Sequence, residues 1–204
     1  MTKGIEEQLY TNLHNENAGL VDKAGTSNRK RMSFLEWLRG GVIRRIIDNS
    51  CSNLTVRKNV QIRKTDGAYL EIGNNVTIDE GVRILLTKPF PKLIIGDNVT
   101  IGQNSIITAK AEMYIGDYTL IGPYVQITDN NHTAKRDNLI KFQRSTIKPV
   151  RIGSDVWIGS GAKVLAGVTI GNGAIIGANS VVTHDIPDFA VAVGCPARVI
   201  KYRD

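Results

Sequence analysis

The sequence predicts an all-β chain wound into a three-sided parallel coil, a triangular prism of short stacked strands. Three observations lead there. From Ile72 onward the residues fall into hexads, each opened by an aliphatic side chain: IGNNVT and IDEGVR at Ile72 and Ile78, IGDNVT and IGQNSI at Ile95 and Ile101, IGDYTL and IGPYVQ at Ile115 and Ile121. An unbroken series then opens at Ile152, Ile158, Val164, Ile170, Ile176 and Val182. A longer period overlies the first, because the residue after the leading aliphatic reads Gly, Gly, Leu over Gly153, Gly159 and Leu165, then Gly, Gly, Thr over Gly171, Gly177 and Thr183. Three hexads therefore make one turn, and a turn with three equivalent sides is a prism whose faces are buried only by stacking on neighbours. Third, the chain holds 20 Gly and only 6% aromatic residues, as a narrow interior with tight corners requires. Each leading Ile or Val is expected to point inward. The fifth hexad position (Val76, Val99, Ser105, Val125, Ala162, Val168, Ala174, Ser180) is small or β-branched for the same reason, and Gly is expected where the backbone bends.

Residues 1–53 form a separate N-terminal segment. Within it 5–13 reads as a short helix, 15–30 as polar loop, and 33–47 (SFLEWLRGGVIRRII) as a helix whose Leu35, Leu38, Val42 and Ile46 make one apolar stripe. Such a stripe packs on the protein's own body or a neighbouring subunit; Trp37 with Arg39, Arg44 and Arg45 would also suit peripheral contact with a membrane surface. The prism spans 54–186, with an irregular first turn at Val56 and Ile62. The step from Ile72 to Ile95 is five residues longer than an eighteen-residue turn, which predicts a bulge around KPFPK (88–92), and Ile95 to Ile115 is two longer. After Ile127 the register resumes only at Ile152, so 129–149 (DNNHTAKRDNLIKFQRSTIKP) is a protruding loop, and long excursions from a regular scaffold commonly carry function. A tail at 187–204 follows.

Composition narrows the class. Hydrophobic residues at 42% and charged residues at 22% are those of a globular chain. Two cysteines exclude a disulfide scaffold and suit a reducing compartment. No apolar run approaches the ~18 residues of a membrane span, and the first residues lack the apolar core of a secretory signal. The expectation is a cytoplasmic protein, with the inner membrane face as a possible peripheral site. The net charge of +7 suits an anionic partner or a basic solvated surface. Nucleic acid is not expected, since no motif interleaves aromatic and basic residues.

The hexads, the interrupted turn with its histidine, and above all VRIGSDVWIGSGAKVLAGVTIGNGAIIGANSVVTHDIPDFAVAVGCPARVIK resemble the left-handed parallel β-helix acyltransferases with hexapeptide repeats. The likeness is strongest to the bacterial galactoside, maltose and polysaccharide O-acetyltransferases, and it covers about 56–201. It implies left-handed winding, a homotrimer with sites between subunits, and acetyl-CoA as co-substrate. Acyl transfer from a thioester to a hydroxyl needs a base, donors for the developing oxyanion, and orientation of both substrates. His132, in ITDNNHT, stands where the family carries its general base, and an unperturbed imidazole near ~6.5 is largely neutral at pH 7. Asp129, Asn130, Asn131 or a backbone carbonyl would orient it. Some polysaccharide acetyltransferases look like D-H-N-H here; Asn130 replaces the first of those histidines, so one catalytic histidine is expected.

For the cofactor groove the resemblance implies Trp157 beside the thioester arm and Ser160 and Ala178 on the pantetheine. Thr183 and His184 match a Thr-Lys or Thr-Arg pair near the nucleotide, with His184 departing from the usual cation. Arg198 and Lys201 match a basic pair near the phosphates, as a guanidinium fork plus a point charge would serve. On the acceptor side Asn104, Lys110 and Glu112 are candidates, Lys110 standing where an acidic residue often occurs. The basic loop (Lys135, Arg136, Lys141, Arg144, Lys148) suits an anionic or lipid-diphosphate-linked glycan, or plain solvation.

The expected activity is transfer of acetyl to a hydroxyl of a sugar or polysaccharide precursor within a ternary complex. Rival readings are N-acetylation of an amino sugar, acetylation of an antibiotic, and a non-catalytic prism. A metal-dependent prism of the γ-carbonic-anhydrase kind needs three histidines around the ion. His14 lies outside the prism, and His132 and His184 sit on different turns, so no metal is expected.

Overall fold

The computed structural model describes residues 34–204, with side chains from Arg39 onward. The expected helix at 5–13, the polar stretch 15–30 and His14 lie outside the described residues, as do the side chains of Leu35, Trp37 and Leu38. From Thr55 the chain climbs a three-sided parallel β-helix, each coil adding one strand to each of three sheets. Sheet I stacks Thr55–Val56, Thr77–Ile78, Thr100–Ile101, Leu120–Ile121, Trp157–Ile158 and Ile175–Ile176, and ends in the antiparallel pair Ala190–Gly194 and Ala197–Tyr202. Sheet II stacks Gln61–Lys64, Arg83–Leu86, Ile106–Ala109, Gln126–Thr128, Lys163–Val164 and Val181–Val182. Sheet III stacks Tyr69–Ile72, Lys92–Ile95, Glu112–Ile115, Val150–Ile152 and Thr169–Ile170.

The leading aliphatics do stack in register. Ile72, Ile95, Ile115, Ile152 and Ile170 form one column. Ile78, Ile101, Ile121, Ile158 and Ile176 form a second. Ile84, Ile107, Ile127, Val164 and Val182 form the third. All are buried, as are the fifth-position residues between them. At about 1.5–3 kcal/mol per buried aliphatic side chain, these columns dominate the stability of the prism.

The corners correct one expectation. The bend is made by the fourth residue of the hexad, not by the second-position glycine: Asn75, Asn98, Asn104, Tyr118, Tyr124, Asp155 and Asn179 all have φ between 55 and 58°. The glycines at position two answer to crowding instead. A Cβ on Gly116 would lie 2.6 Å from the carbonyl carbon and oxygen of Gly153 and from the amide of Ser154 in the next coil. Position three supplies an oxygen ladder between sheets III and I: Asp97 Oδ1 accepts from the Asn74 amide at 2.6 Å and Asp117 Oδ1 from that of Asp97 at 2.8 Å. Higher up, Asn172 accepts from Ser154 at 2.9 Å and Asp188 from Asn172 at 2.8 Å. The two predicted register slips fall between Leu86 and Lys92 and between Ala109 and Glu112, both at the corner joining sheets II and III.

Both ends of the coil are capped. Helix α1 (Phe34–Ile43) ends short of the expected Ile47, and of the expected stripe's described residues Val42 is not buried. Gly40, Ile43 and Ile47 are buried, whereas Val42 is 59% exposed. The reason is Gly40, where a Cβ would stand 2.9 Å from the Leu54 carbonyl oxygen; the helix approaches the first coil along its glycine. Beyond it Asp48 and Asn49 imitate one more strand of sheet III. The Asp48 amide donates to Leu70 O at 2.8 Å and its carboxylate accepts from Leu70 N–H at 2.7 Å, while Asn49 exchanges two bonds with Ile72 at 2.9 and 3.0 Å. The Leu70 amide, and after it Lys64 beside the carboxylate, hold Asp48 below its ordinary pKa. At the other end Arg203 donates to Asp155 Oδ2 at 2.8 Å and Gly173 O at 2.9 Å, latching the tail to the prism.

Candidate active site

The excursion is a built structure. It leaves sheet II at Thr128 and rejoins sheet III at Val150, and its two arms, Asn130–His132 and Ser145–Ile147, pair antiparallel with His132 opposite Ser145. Gln143 crosslinks its tip, accepting from Lys135 N–H at 2.9 Å and donating to Lys135 O at 2.8 Å and Asn138 O at 2.7 Å. The Lys148 amide closes the root on Asp129 O at 2.8 Å. His132 is exposed on this ribbon, and its imidazole has no hydrogen bond within the described residues.

The candidates for orienting His132 separate. Asp129 is fully buried. It continues the inward column of Leu86 and Ala109, and its carboxylate faces the preceding coil. There it accepts from Lys110 N–H at 2.8 and 3.0 Å, from Ala111 N–H at 2.7 Å, and from the Asn130 side chain at 3.3 Å. A buried carboxylate is tolerable only with such partners, and the imidazole is not among them within the described residues. Asn130 is likewise engaged, donating to Thr128 Oγ1 at 3.0 Å. Asn131 is exposed and makes no side-chain bond within the described residues. Within the described residues both Asp129 and Asn130 brace the ribbon's root, and neither is hydrogen-bonded to the His132 ring.

Of the acceptor-side candidates, only Lys110 comes to the ribbon. Its ammonium donates to Ser145 Oγ at 3.2 Å. Directly opposed residues of an antiparallel pair project to the same face, so Lys110, Ser145 and His132 share one face of the ribbon. Ser145 was missed in the sequence because its pairing with His132 is non-local. Asn104 is a corner residue packed against Gly81. Glu112 lies in a surface ion ladder with Arg151 at 3.3 Å and Lys92 at 3.6 Å.

The cofactor candidates fall in two groups. Trp157 is 51% exposed on the outside of sheet I, in a row running Leu120, Trp157, Ile175, Val191, Lys201 across adjacent strands. Ser160 and Ala178 are exposed at the neighbouring corner, in successive coils. Arg198 and Lys201 are on the last strand of the same sheet. Tyr118 and Tyr124, exposed and at positive φ, flank Leu120 in this surface; their signal in the sequence is tyrosine at the fourth position, where other hexads carry Asn, Asp or Gly. Thr183 and His184, bonded Oγ1 to Nδ1 at 2.8 Å, lie at the corner between sheets II and III. That is the excursion's corner, two coils on, about 10 Å along the axis at ~4.8 Å per strand. In a triangular section this corner is opposite sheet I, so one chain holds His132, Lys110, Thr183 and His184 on one side and Trp157, Arg198 and Lys201 on the other. Among the described residues no three His, Cys, Asp or Glu side chains cluster as metal ligands, and no helix is long and apolar enough to cross a membrane.

The comparisons show which family this prism of hexapeptide repeats, broken by one histidine-bearing ribbon, belongs to. Residues 149–184 match the bacterial transferase hexapeptide (six repeats) family, and 92–109 match the hexapeptide repeat of succinyl-transferase. A putative lipopolysaccharide biosynthesis O-acetyl transferase of Escherichia coli K12 is 34% identical over 179 residues, 82% of this chain and 87% of that one. A probable acetyltransferase of Mycobacterium tuberculosis is 40% identical over 148 residues, 72% of this chain, which spans only 49% of that protein's length. Among solved structures, an N-acyltransferase from Bacillus cereus, a mutant in complex with dTDP-4-amino-4,6-dideoxyglucose and Coenzyme A, superposes with a TM-score of 0.68 at 22% identity, over 80% of this chain and 89% of that one; this likeness concerns the fold. The chain belongs to the hexapeptide-repeat transferase family.

Proposed function

We propose that this protein is an acetyl-CoA-dependent O-acetyltransferase acting on a sugar or glycan hydroxyl, with His132 as general base and sites built between the subunits of a homotrimer. The observation that supports it most is the ribbon itself: a braced hairpin at the one interrupted turn, presenting an imidazole free of hydrogen bonds to the other described residues. In the reaction the acceptor oxygen attacks the thioester carbonyl carbon while His132 Nε2 or Nδ1 takes the hydroxyl proton. The tetrahedral intermediate expels the CoA sulfur as the C–S bond breaks, and His132 returns the proton to the thiolate. The donor suits sheet I of one subunit, where Trp157, Ile175 and Val191 offer an apolar strip to the pantetheine arm and Arg198 and Lys201 offer cations to its phosphates. Because that sheet is opposite the ribbon in one chain, His132 would come from the neighbouring subunit, with Thr183 and His184 beside it. A cyclic head-to-tail contact of this kind closes into a ring.

Two measurements test the proposal. Replacing His132 by Ala should lower kcat for transfer by about 10²–10⁴-fold, the range of a lost general base. After subunit exchange, inactive His132→Ala and Trp157→Ala proteins should recover activity in mixed trimers, because some sites then pair an intact ribbon with an intact sheet. Wild-type turnover by His132→Ala would defeat the catalytic reading, and verified exchange without recovery would defeat the shared site. Sugars, glycosyl lipids, amino sugars and chloramphenicol as acceptors separate O-transfer to glycans from the alternatives.

A further inference from the structure

We infer that the acceptor carries an anionic group, a phosphate or a carboxylate, and that Lys110 binds it beside His132. The inference rests on the acetyl-transfer reading above and adds the chemical class of the second substrate. Lys110 is half-buried at the root of the ribbon, yet within the described residues the one bond its ammonium makes is to a neutral hydroxyl, Ser145 Oγ at 3.2 Å. The carboxylate bound to its backbone amide and the one two residues on are committed elsewhere. Asp129 is spent on the backbone amides of Lys110 and Ala111, and Glu112 on Arg151 and Lys92. A half-buried ammonium needs an anion or several acceptors to offset its lost hydration, and here two of its three N–H donors are unused within the described residues. They stand on the face of the ribbon that also carries the imidazole, because Ser145 and His132 are directly opposed.

The surroundings agree in sign. The excursion carries Lys135, Arg136, Lys141, Arg144 and Lys148 against a single acid after its root, Asp137, and none of these cations is ion-paired with a described carboxylate. A patch of one sign raises the local concentration and association rate of an oppositely charged ligand. A neutral sugar would gain nothing from it, and would leave Lys110 uncompensated when the site closes around substrate.

The test uses the full-length protein with acetyl-CoA and three acceptors matched except in charge: galactose, galactose 1-phosphate and galacturonate. The expected result at low salt is a kcat/KM at least 10-fold higher for one or both anionic sugars than for galactose, the two anions distinguishing phosphate from carboxylate recognition. Lys110→Met should collapse that ratio toward one, and Lys110→Arg should retain most of it. Equal ratios in wild type and Lys110→Met overturn the inference while leaving acetyl transfer standing. If none of the three is acetylated, binding decides independently. Inorganic phosphate and galactose 1-phosphate titrated against His132 ring signals by NMR should shift them in wild type and not in Lys110→Met. No shift in wild type, or the same shift in both, overturns it as well. Loss of all acyl transfer with phosphate binding intact would instead count against the proposed reaction.

Discussion

Replacing Asp129 by Ala removes a carboxylate that touches neither substrate and should nonetheless damage both stability and turnover. Its oxygens satisfy the Lys110 and Ala111 amides at the tight turn between sheets II and III. Two backbone donors left unpaired at about 1–3 kcal/mol each would cost about 2–6 kcal/mol. Relief of the buried carboxylate's own desolvation and entry of water into the vacated space offset part of that, so a loss of about 3 kcal/mol is expected. Urea denaturation at a fixed protomer concentration measures it, since assembly makes apparent stability depend on concentration. Amide exchange localises it, with Lys110 and Ala111 accelerating ahead of the rest of their coil. The same carboxylate sets the root of the ribbon three residues before His132, so kcat should fall about 10–100-fold, as for ångström-scale misplacement of a catalytic group. KM for acetyl-CoA should change little, because Trp157, Ser160 and Ala178 stand on other parts of the prism. A stability change below about 0.5 kcal/mol, within the range of an ordinary surface substitution, with unaltered exchange at 110 and 111 would refute the bracing role.

Gly116→Ala should destabilise the prism by about 3 kcal/mol, the upper range for overpacking, since its Cβ would meet backbone atoms of the next coil at 2.6 Å; thermal melting or soluble yield reports it. Tyr118→Asn should stabilise by about 1 kcal/mol, because a bulky side chain pays more than Asn for the left-handed region and φ there is 57°; a melting temperature at or below wild type would contradict this. Asp48 is held below its ordinary value of 3.8, chiefly by the Leu70 amide and then by Lys64. Its contribution is therefore fully present above that value and is lost as pH falls through the lower folded-state pKa. Asp48→Asn should cost under about 1 kcal/mol at pH 7, given the group's exposure, and the gap to wild type should close below pH 3.8 in acid titrations of stability.

The hexad register was legible because it repeats locally: each aliphatic column could be read from spacing, and the interrupted turn marked the ribbon. The reasons for individual residues were less legible where they depend on the next coil. Gly116 reads as a bend residue along the chain, and only stacking reveals that it makes room for Gly153. Val42 was misread as a buried position because Gly40, apolar in effect through its lack of a side chain, lies on the buried face with Ile43 and Ile47. Asp129 reads as a loop residue beside Asn130, Asn131 and His132. That it occupies a core column and turns its carboxylate onto the preceding coil follows from a pairing about twenty residues away. Thr183 and His184 could have been separated from Trp157 by counting hexads onto faces, since the residues after Val182 and the residues before Ile158 belong to different sides.

That separation constrains how any shared site must be assembled. If the ribbon of one chain serves sheet I of another, the surfaces joined are different on the two partners, and a two-fold axis cannot relate them through a single such contact. A heterologous contact either closes by rotation or grows without end. Each chain contributes one corner and one face, so the proposed homotrimer would close three such contacts. The exposed row Leu120, Trp157 and Ile175, bordered by Tyr118 and Tyr124, is then where a neighbour's corner would come to rest. The basic ribbon would close over it, bringing Lys110 and His132 to the donor thioester from outside the chain that binds it.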